Sequence, residues 1–171
     1  MQAAEFIRSR SALSPRIGVV LGSGLGGFAD RLTDSVRVPY ADIPGFAAVG
    51  VAGHRGELVL GRISGVEVAC LSGRVHLYEG HPPARVVFGV RLLAELGCRS
   101  VLLTNAAGGI RSDLESGTLL LVTDHVNLTG ANPLLGPSEQ SLPRFIADGL
   151  DFPDWVEAFA PTLSVTVIVD T

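Results

Sequence analysis

The sequence predicts an α/β fold with a mixed central β-sheet flanked by helices. Short apolar runs rich in β-branched residues, at 16–21 and 100–104, end in small residues and lie beside stretches with helical periodicity. The runs 57–63 and 66–71 flank a Ser-Gly pair at 64–65, a pattern typical of a β-hairpin. Strands linked through helices occur here together with strands linked by a tight turn, and this combination indicates a mixed sheet.

The other elements follow from local signals along the chain. An amphipathic helix should end before Ser14, and a short helix should follow the first strand as far as Leu32. A helix opened by Pro82 and Pro83 should run to Leu96. We expect the remaining segments to be a turn-rich, mobile stretch at 33–55, a strand at 118–123, a long ordered loop at 124–144 and a strand at 163–169.

Composition narrows the class of protein. The 171 residues are enough to bury a sizeable core, and we expect a single domain over 1–171. Apolar residues make up 47%, which suggests a buried subunit interface. No apolar run is long enough to cross a bilayer and the first residues do not resemble a signal peptide, so we expect a cytoplasmic protein without a membrane partner. The net charge of −4 disfavours nucleic acid as a partner, and Cys70 and Cys98 are expected to be reduced.

Three segments at strand ends suggest one anion-binding crevice. The stretch 73–80 joins a strand to the next helix and presents four functional side chains: Arg74, His76, Tyr78 and Glu79. A guanidinium fork fits a tetrahedral oxyanion. The glycine-rich stretch 22–27 can aim backbone N–H groups at a ligand, and the small residues of 105–110 allow its close approach. Together the three segments predict a ligand site at the carboxyl edge of the sheet, although each glycine turn alone also fits an ordinary tight turn.

The glycine spacing at 22–27 leaves a second interpretation open, because it satisfies the dinucleotide fingerprint G-x-G-x-x-G. Asp42 could then serve as the acid that binds a ribose. Pro39, however, interrupts the run that should be a central parallel strand in such a fold, and the chain turns at once at 43–45. These two features disfavour a dinucleotide-binding oxidoreductase, which is kept as the alternative. The melting temperature separates the two interpretations, because NAD rather than phosphate would raise it for an oxidoreductase.

Seven segments resemble the trimeric-type purine nucleoside phosphorylases. They occur in the order and spacing of that family between about Ile17 and Phe145. The segments are 22–27 (GSGLGG), 43–46 (IPGF), 53–56 (GHRG), 73–80 (GRVHLYEG), 104–109 (TNAAGG), 124–128 (DHVNL) and 132–137 (NPLLGP). The sequence departs from the family at Val75, where an aromatic residue is usual, and after Phe145.

The resemblance implies a nucleoside-phosphorylase-like fold and the phosphorolysis of purine (deoxy)ribonucleosides to free base and (deoxy)ribose 1-phosphate. The partners it implies are a purine nucleoside and inorganic phosphate, the latter as co-substrate, with no cofactor and no metal. The assembly it implies is a homotrimer. Methylthioadenosine phosphorylases are a related alternative, but residues 78–80 and 105–109 fit the purine nucleoside branch better.

The same resemblance gives roles to individual residues. The phosphate ligands that it implies are Ser23, His54, Arg74, His76 and the backbone N–H of Ala106. The substrate contacts that it implies are Tyr78, Asn105, Ala106 and Phe145, the last reaching into the neighbouring subunit. The catalytic set that it implies is His76, Glu79, which orders the phosphate site, and Asn105.

The segment 146–171 is expected to be a divergent tail. The family continues with a Glu and an Asn that hold the purine and a distal His near the ribose, and 146–171 offers no counterpart. We therefore expect a C-terminally incomplete domain, from a truncated or frame-shifted coding sequence, whose turnover is impaired. A phosphate-binding remnant without turnover is the alternative to a working phosphorylase.

Overall fold

A computed structural model describes residues 2–47, 55–122, 127–133 and 163–168 of the chain. Its helices are α1 (Gln2–Arg10), α2 (Pro83–Val86) and α3 (Phe88–Leu96), with 3₁₀ turns at Gly26–Arg31, Tyr40–Asp42 and Leu77–Glu79. Its strands are β1 (Ile17–Leu21), β2 (Thr33–Pro39), β3 (Glu57–Ile63), β4 (Val66–Ser72), β5 (Ser100–Ala106), β6 (Leu119–Leu121) and β7 (Leu163–Ile168).

The described strands form one seven-stranded sheet in the order β2-β3-β4-β1-β5-β7-β6. Neighbours from β4 to β7 are parallel, whereas the pairs β2–β3, β3–β4 and β6–β7 are antiparallel. The predicted α/β fold with a mixed sheet is confirmed. The parallel strands lie at the centre of the sheet, where both faces can be covered.

The predicted hairpin consists of β3 and β4. Ser64 and Gly65 between them have φ values of 51° and 81°. A two-residue turn with positive φ at both positions follows the twist of antiparallel strands, and the two strands pair along their whole length from Ile63↔Val66 to Glu57↔Ser72. The hairpin places β4 beside β1.

The turn-rich stretch expected at 33–55 contains a strand, and the prediction is wrong for its first part. Residues Thr33–Pro39 form β2, which pairs antiparallel with β3 and is an edge strand. Pro39 ends this strand, where its missing N–H is tolerated because β2 has a neighbour on one side only. Residues 48–54 of this stretch lie outside the described residues.

The helix expected from Pro83 to Leu96 is divided at Val87 into α2 and α3. Val86 and Val87 are adjacent β-branched residues, whose restricted χ1 lowers helix propensity. The predicted end is confirmed, since Gly97 adopts the left-handed conformation with φ 103°.

The core lies on both faces of the sheet, because successive strand residues point to opposite sides. On one face Val20, Leu58 and Leu71 pack with α1 and α3, and Leu92 and Leu93 of α3 are fully buried. Burying one such leucine contributes about 1.5–3 kcal/mol. The other face has its own cluster, formed by Val19, Leu21, Ala29, Leu32, Val59, Val68 and Cys70.

The run 163–169 was expected to form a strand, and residues Leu163–Ile168 do so as β7. β7 pairs parallel with β5 and antiparallel with β6, in the registers Ala106↔Ile168 and Leu119↔Ile168. The strand expected at 118–123 is shorter, Leu119–Leu121, and most of the loop expected at 124–144 lies outside the described residues.

Candidate active site

The carboxyl ends of three adjacent parallel strands form the candidate site. β1 lies between β4 and β5, with Leu21 opposite Ser72 and Val20 opposite Leu103. The segments that leave these strands therefore begin at one edge of the sheet, as the sequence predicts. Ligands of open α/β sheets bind at this edge, outside the strand ends.

Thr104 joins the ends of β1 and β5. It is 6% exposed, and its hydroxyl Oγ1 accepts a hydrogen bond from the backbone N–H of Gly22 at 2.9 Å. The same hydroxyl donates to the carbonyl oxygen of Val20 at 2.9 Å. The start of the glycine-rich turn is thus held to β5 by a side chain.

Gly22 allows the two strands to come this close. A Cβ at this position would lie 2.7 Å from the Cα of Asn105 and 2.7 Å from the carbonyl oxygen of Thr104. These are backbone atoms, so no side-chain rotation can relieve the clash. Glycine at position 22 is therefore required by the close approach of the β1 end to β5.

Arg74 reaches the same point from β4. Its Nη1 donates a hydrogen bond of 2.6 Å to the carbonyl oxygen of Thr104. Burial lowers the pKa of the half-buried guanidinium below its ordinary value. Arginine nevertheless stays charged at neutral pH, and its remaining N–H donors are available to an anion.

The backbone that carries Arg74 is held by Tyr40. Gly73 has a φ of 104°, a conformation that glycine adopts without strain. Its carbonyl oxygen accepts a hydrogen bond of 2.7 Å from the hydroxyl of Tyr40, which is 1% exposed. Burial raises the pKa of Tyr40, so its hydroxyl stays protonated and donates. Tyr40 also stacks on Phe46, with ring centroids 3.9 Å apart.

His76, Tyr78 and Glu79 form one short turn. The Glu79 carboxylate accepts a 2.7 Å hydrogen bond from the backbone N–H of His76, and Gly80 ends the turn with φ 83°. The Tyr78 ring stacks on the His76 ring, with centroids 4.6 Å apart and an interplanar angle of 17°. Tyr78 is 74% exposed, so its other face is open to a ligand.

The other predicted ligands are placed as follows. Ser23 is exposed directly after Gly22. Asn105 and Ala106 were expected in a loop, but they are the last residues of β5, because β7 pairs with them. Asn105 is half-buried and Ala106 is exposed. His54 and Phe145, which were predicted to contact phosphate and a neighbouring subunit, lie outside the described residues.

A mostly apolar cavity of about 320 Å³ adjoins the candidate site and is lined in part by Arg74. Val75, the residue at which the sequence departs from the resembled family, is buried and lines this cavity. Its other walls are Val20, Phe46, Leu71, Gly73, Arg74, Val86, Val87, Gly89, Val90, Leu103, Thr104 and Asn105.

Ion pairs surround the 3₁₀ turn Gly26–Arg31, which overlaps the end of the glycine-rich stretch. Asp30, near the end of this 3₁₀ turn, accepts two hydrogen bonds from Arg55, of 2.5 and 2.7 Å. Arg37 bridges Asp30 at 2.9 Å and Glu57 at 2.7 Å. The hydrogen bond from Arg55 is the largest cause that lowers the pKa of Asp30 to about 2.

A family model described as the phosphorylase superfamily matches residues 16–165. The chain belongs to the phosphorylase superfamily. This confirms the resemblance that the sequence segments indicate. The match to the superfamily continues past Phe145, the last residue of those segments.

Known members show how much of a superfamily protein the chain represents. It is 43% identical to purine nucleoside phosphorylase 1 of Geobacillus stearothermophilus over 162 residues, which cover 95% of this chain and 57% of that protein. It is 40% identical to purine nucleoside phosphorylase of Bos taurus over 159 residues, which cover 91% of this chain and 53% of that protein. The chain thus spans little more than half the length of these relatives.

The chain is also similar in structure to solved purine nucleoside phosphorylases. Isoform 2 of purine nucleoside phosphorylase from Schistosoma mansoni, in complex with cytosine and ribose-1-phosphate, matches with a TM-score of 0.75 and 32% identity, covering 98% of this chain and 64% of that one. Purine nucleoside phosphorylase from Schistosoma mansoni in complex with acetate matches with a TM-score of 0.78 and 31% identity, covering 98% and 67%. The similarity therefore extends to the backbone fold.

Two residues of the candidate site, Thr104 and Tyr40, could not be predicted from the sequence. Thr104 was part of a recognised segment but received no role, and Tyr40 fell in a stretch expected to be turns. A hydroxyl at the end of a buried strand is a signal for Thr104, because such a buried group must find partners. The partners themselves are distant in sequence.

The cysteines and the His, Cys, Asp and Glu side chains of the described residues are characterised by their burial and spacing. Cys70 and Cys98 are free, as predicted, and burial raises their pKa values to about 12 and about 11, so both are protonated at neutral pH. Within the described residues no group of three His, Cys, Asp or Glu could hold a metal ion. The same residues include no helix long and apolar enough to span a membrane.

Proposed function

We propose that this protein is a purine nucleoside phosphorylase, which converts purine (deoxy)ribonucleosides and inorganic phosphate to free base and (deoxy)ribose 1-phosphate. The observation that carries the proposal is the convergence of Gly22 and Arg74 on Thr104 at the carboxyl edge of the sheet. The cited relatives are purine nucleoside phosphorylases, and one of the solved structures holds ribose-1-phosphate. Both support an enzyme that transfers a pentosyl group to phosphate.

The reaction asks for fixed positive groups around phosphate. A glycosidic bond breaks through an oxocarbenium-like transition state. Phosphate stabilises that cation from one face and then bonds to the anomeric carbon, while the electrons of the carbon–nitrogen bond leave with the base. Donors held on rigid strand ends supply positioning and electrostatic stabilisation at no cost in reorganisation.

The described residues suit the phosphate side of this reaction. Arg74 would bind phosphate with the N–H groups that are not directed at Thr104. Ser23 would add its hydroxyl from the glycine-rich turn, and Ala106 its backbone N–H from the end of β5. Ser23 directly follows Gly22, and Ala106 directly follows Asn105, whose Cα would lie 2.7 Å from a Cβ at position 22, which supports one shared ligand.

The turn Leu77–Glu79 and the preceding His76 would contact both phosphate and the ribose. His76 would bind phosphate, and Tyr78, stacked on His76, would present its exposed ring to the sugar. Glu79 would order the site through its hydrogen bond to the His76 backbone. Asn105, half-buried beside Gly22, would form the floor between phosphate and base.

We further propose that the protein is a cytoplasmic homotrimer that uses phosphate as co-substrate without a cofactor. His54 would approach phosphate, and Phe145 would enter the neighbouring site. Exposed large apolar side chains, among them Ile110, Leu119 and Leu121, support a subunit contact.

Phosphate binding tests the anion site. Phosphate should raise the melting temperature of the wild type but not of Arg74→Ala, because losing charge-assisted hydrogen bonds of about 1.5–3 kcal/mol weakens anion binding about tenfold or more. Arg99→Ala, an exposed arginine at the opposite end of β5, is the matched control and should keep the shift. Sodium chloride at equal ionic strength controls for screening. Equal shifts for wild type and Arg74→Ala would contradict the assignment.

Turnover tests the reaction itself. A working phosphorylase releases hypoxanthine from inosine only when phosphate is present, at about 1–10³ s⁻¹ for a typical enzyme. The second candidate function is phosphate binding without turnover, favoured by the described contacts, which converge on the anion side. Phosphate binding with no release of hypoxanthine from the purified chain would select that candidate.

A further inference from the structure

The pairing of β1 with β5 ends before the two strands do. Their ladder extends to Val20↔Leu103, whereas β1 continues along β4 to Leu21↔Ser72. Beyond Val20 the connection to β5 is made by the hydroxyl of Thr104, which accepts from the Gly22 N–H and donates to the Val20 carbonyl, each at 2.9 Å. One donor and one acceptor site of the hydroxyl are used, so its orientation is fixed.

The main chain of the same residue holds the cation. The carbonyl oxygen of Thr104 accepts the 2.6 Å hydrogen bond from Nη1 of Arg74. Thr104 therefore contacts the first residue of the glycine-rich turn through its side chain and the guanidinium through its backbone. Any shift of the β5 end relative to β1 changes the distance between these two anion-binding elements.

We propose that Thr104 is a positioning residue, whose hydroxyl sets the distance between the Gly22 end of the glycine-rich turn and the Arg74 guanidinium. This inference rests on the proposed function and deepens it, because it names what preorganises the phosphate site. Thr104 need not contact phosphate itself. It acts by holding the donors of Ser23 and Arg74 in one geometry before the anion arrives.

The hydroxyl has a role that packing alone does not require. Valine has nearly the same shape as threonine and would fill the same buried space, but it cannot accept the N–H of Gly22 or donate to Val20. A buried N–H without an acceptor is unfavourable, so the turn would move toward another partner. Serine keeps both hydrogen bonds and loses only a methyl group.

The experiment compares Thr104→Val with Thr104→Ser in the full chain. Three quantities are measured for each variant. Calorimetry gives the phosphate affinity, steady-state kinetics with inosine gives kcat and the KM for phosphate, and thermal denaturation without phosphate gives the melting temperature. Thr104→Val should weaken phosphate binding about tenfold, as expected when a buried donor loses its acceptor. Thr104→Ser should stay within about threefold of the wild type, since it retains the hydroxyl.

A stability-matched control separates positioning from general destabilisation. Val59 is fully buried on β3, two strands away from β1, and Val59→Ala should lower the melting temperature without changing phosphate affinity. If Thr104→Val does not fold, Thr104→Ser against Thr104→Cys gives the same comparison, because a thiol is a weak acceptor.

The outcomes are distinguishable. Wild-type phosphate affinity in Thr104→Val, or equal losses in Thr104→Ser and Thr104→Val, would overturn the inference while leaving the proposed function intact. Weakened binding in Val59→Ala in proportion to its lost stability would also overturn it. A wild-type chain that binds no phosphate would overturn the proposed function, and this inference with it.

Discussion

Replacing Gly22 by alanine tests how closely β1 and β5 must approach for the anion site to form. The added Cβ would lie 2.7 Å from the Cα of Asn105 and from the carbonyl oxygen of Thr104. Real Cβ atoms essentially never come nearer than 3.0 Å to another heavy atom, and ordinary contact begins at 3.4 Å. Because both neighbours are backbone atoms, one strand end has to move.

The size of that movement sets the expected cost. The distance must grow from 2.7 to 3.0 Å at least, and to 3.4 Å for ordinary contact. Overpacking of this kind costs about 1–3 kcal/mol. The movement also lengthens the 2.9 Å hydrogen bond from Gly22 to Thr104, whose loss costs about 0.5–1.5 kcal/mol. We expect Gly22→Ala to lower the free energy of unfolding by about 1.5–4.5 kcal/mol.

Urea denaturation measures this difference, and Gly27→Ala is the matched control. Residue 27 lies in the same glycine-rich stretch, but nothing lies within 4 Å of its added Cβ. This variant should be neutral or more stable by about 0.4–1 kcal/mol. Phosphate should raise the melting temperature of Gly27→Ala and not that of Gly22→Ala. Equal unfolding free energies for the two variants would refute the close-approach argument.

Two further substitutions test the supports of the site. Tyr40→Phe removes the 2.7 Å hydrogen bond to the Gly73 carbonyl and should lower the free energy of unfolding by about 1–3 kcal/mol; an unchanged urea midpoint would contradict this. Asp30→Asn removes the charge that Arg55 stabilises. Since the folded pKa of Asp30 lies below its ordinary 3.8, at about 2, its contribution is present above pH 3.8 and is lost as the pH falls through 2. The melting temperature of Asp30→Asn should therefore lie below that of the wild type at pH 7, and the gap should close toward pH 2; a gap independent of pH would contradict the assignment.

The fold was predictable where the pattern is local. The β3–β4 hairpin and the central strand β1 follow from alternation, apolar runs and a two-residue turn. β2 was missed because its sequence is polar and ends in Pro39, and its conformation depends on pairing with β3, which lies outside its own window. β5 continues to Ala106 because β7, a strand much later in the chain, pairs with its end.

The site was predictable in its residue types and not in its connections. Arg74, His76 and the glycine-rich turn were identified from their chemistry and from a family resemblance. The hydrogen bond between Gly22 and Thr104 joins residues 82 positions apart, and no local pattern shows such a contact. Thr104 and Tyr40 were therefore visible only as a small strand residue and an aromatic residue.

The proposed phosphate binding and the proposed nucleoside turnover make separable demands on the described residues. The hydrogen bonds of the candidate site join Gly22 and Arg74 to Thr104 and Tyr40 to Gly73, all within the described strands and turns. Both partners in each of these contacts are protein groups, so we expect the geometry of the proposed phosphate donors to be set before a nucleoside binds. Turnover requires in addition that charge developing on the departing base be stabilised. If the proposed function holds, a substitution at Thr104 that acts through the anion alone should lower phosphate affinity and kcat/KM for inosine by the same factor. A larger loss of kcat/KM is expected if the substitution also displaces Asn105, the next residue of β5, from its proposed place beside the base.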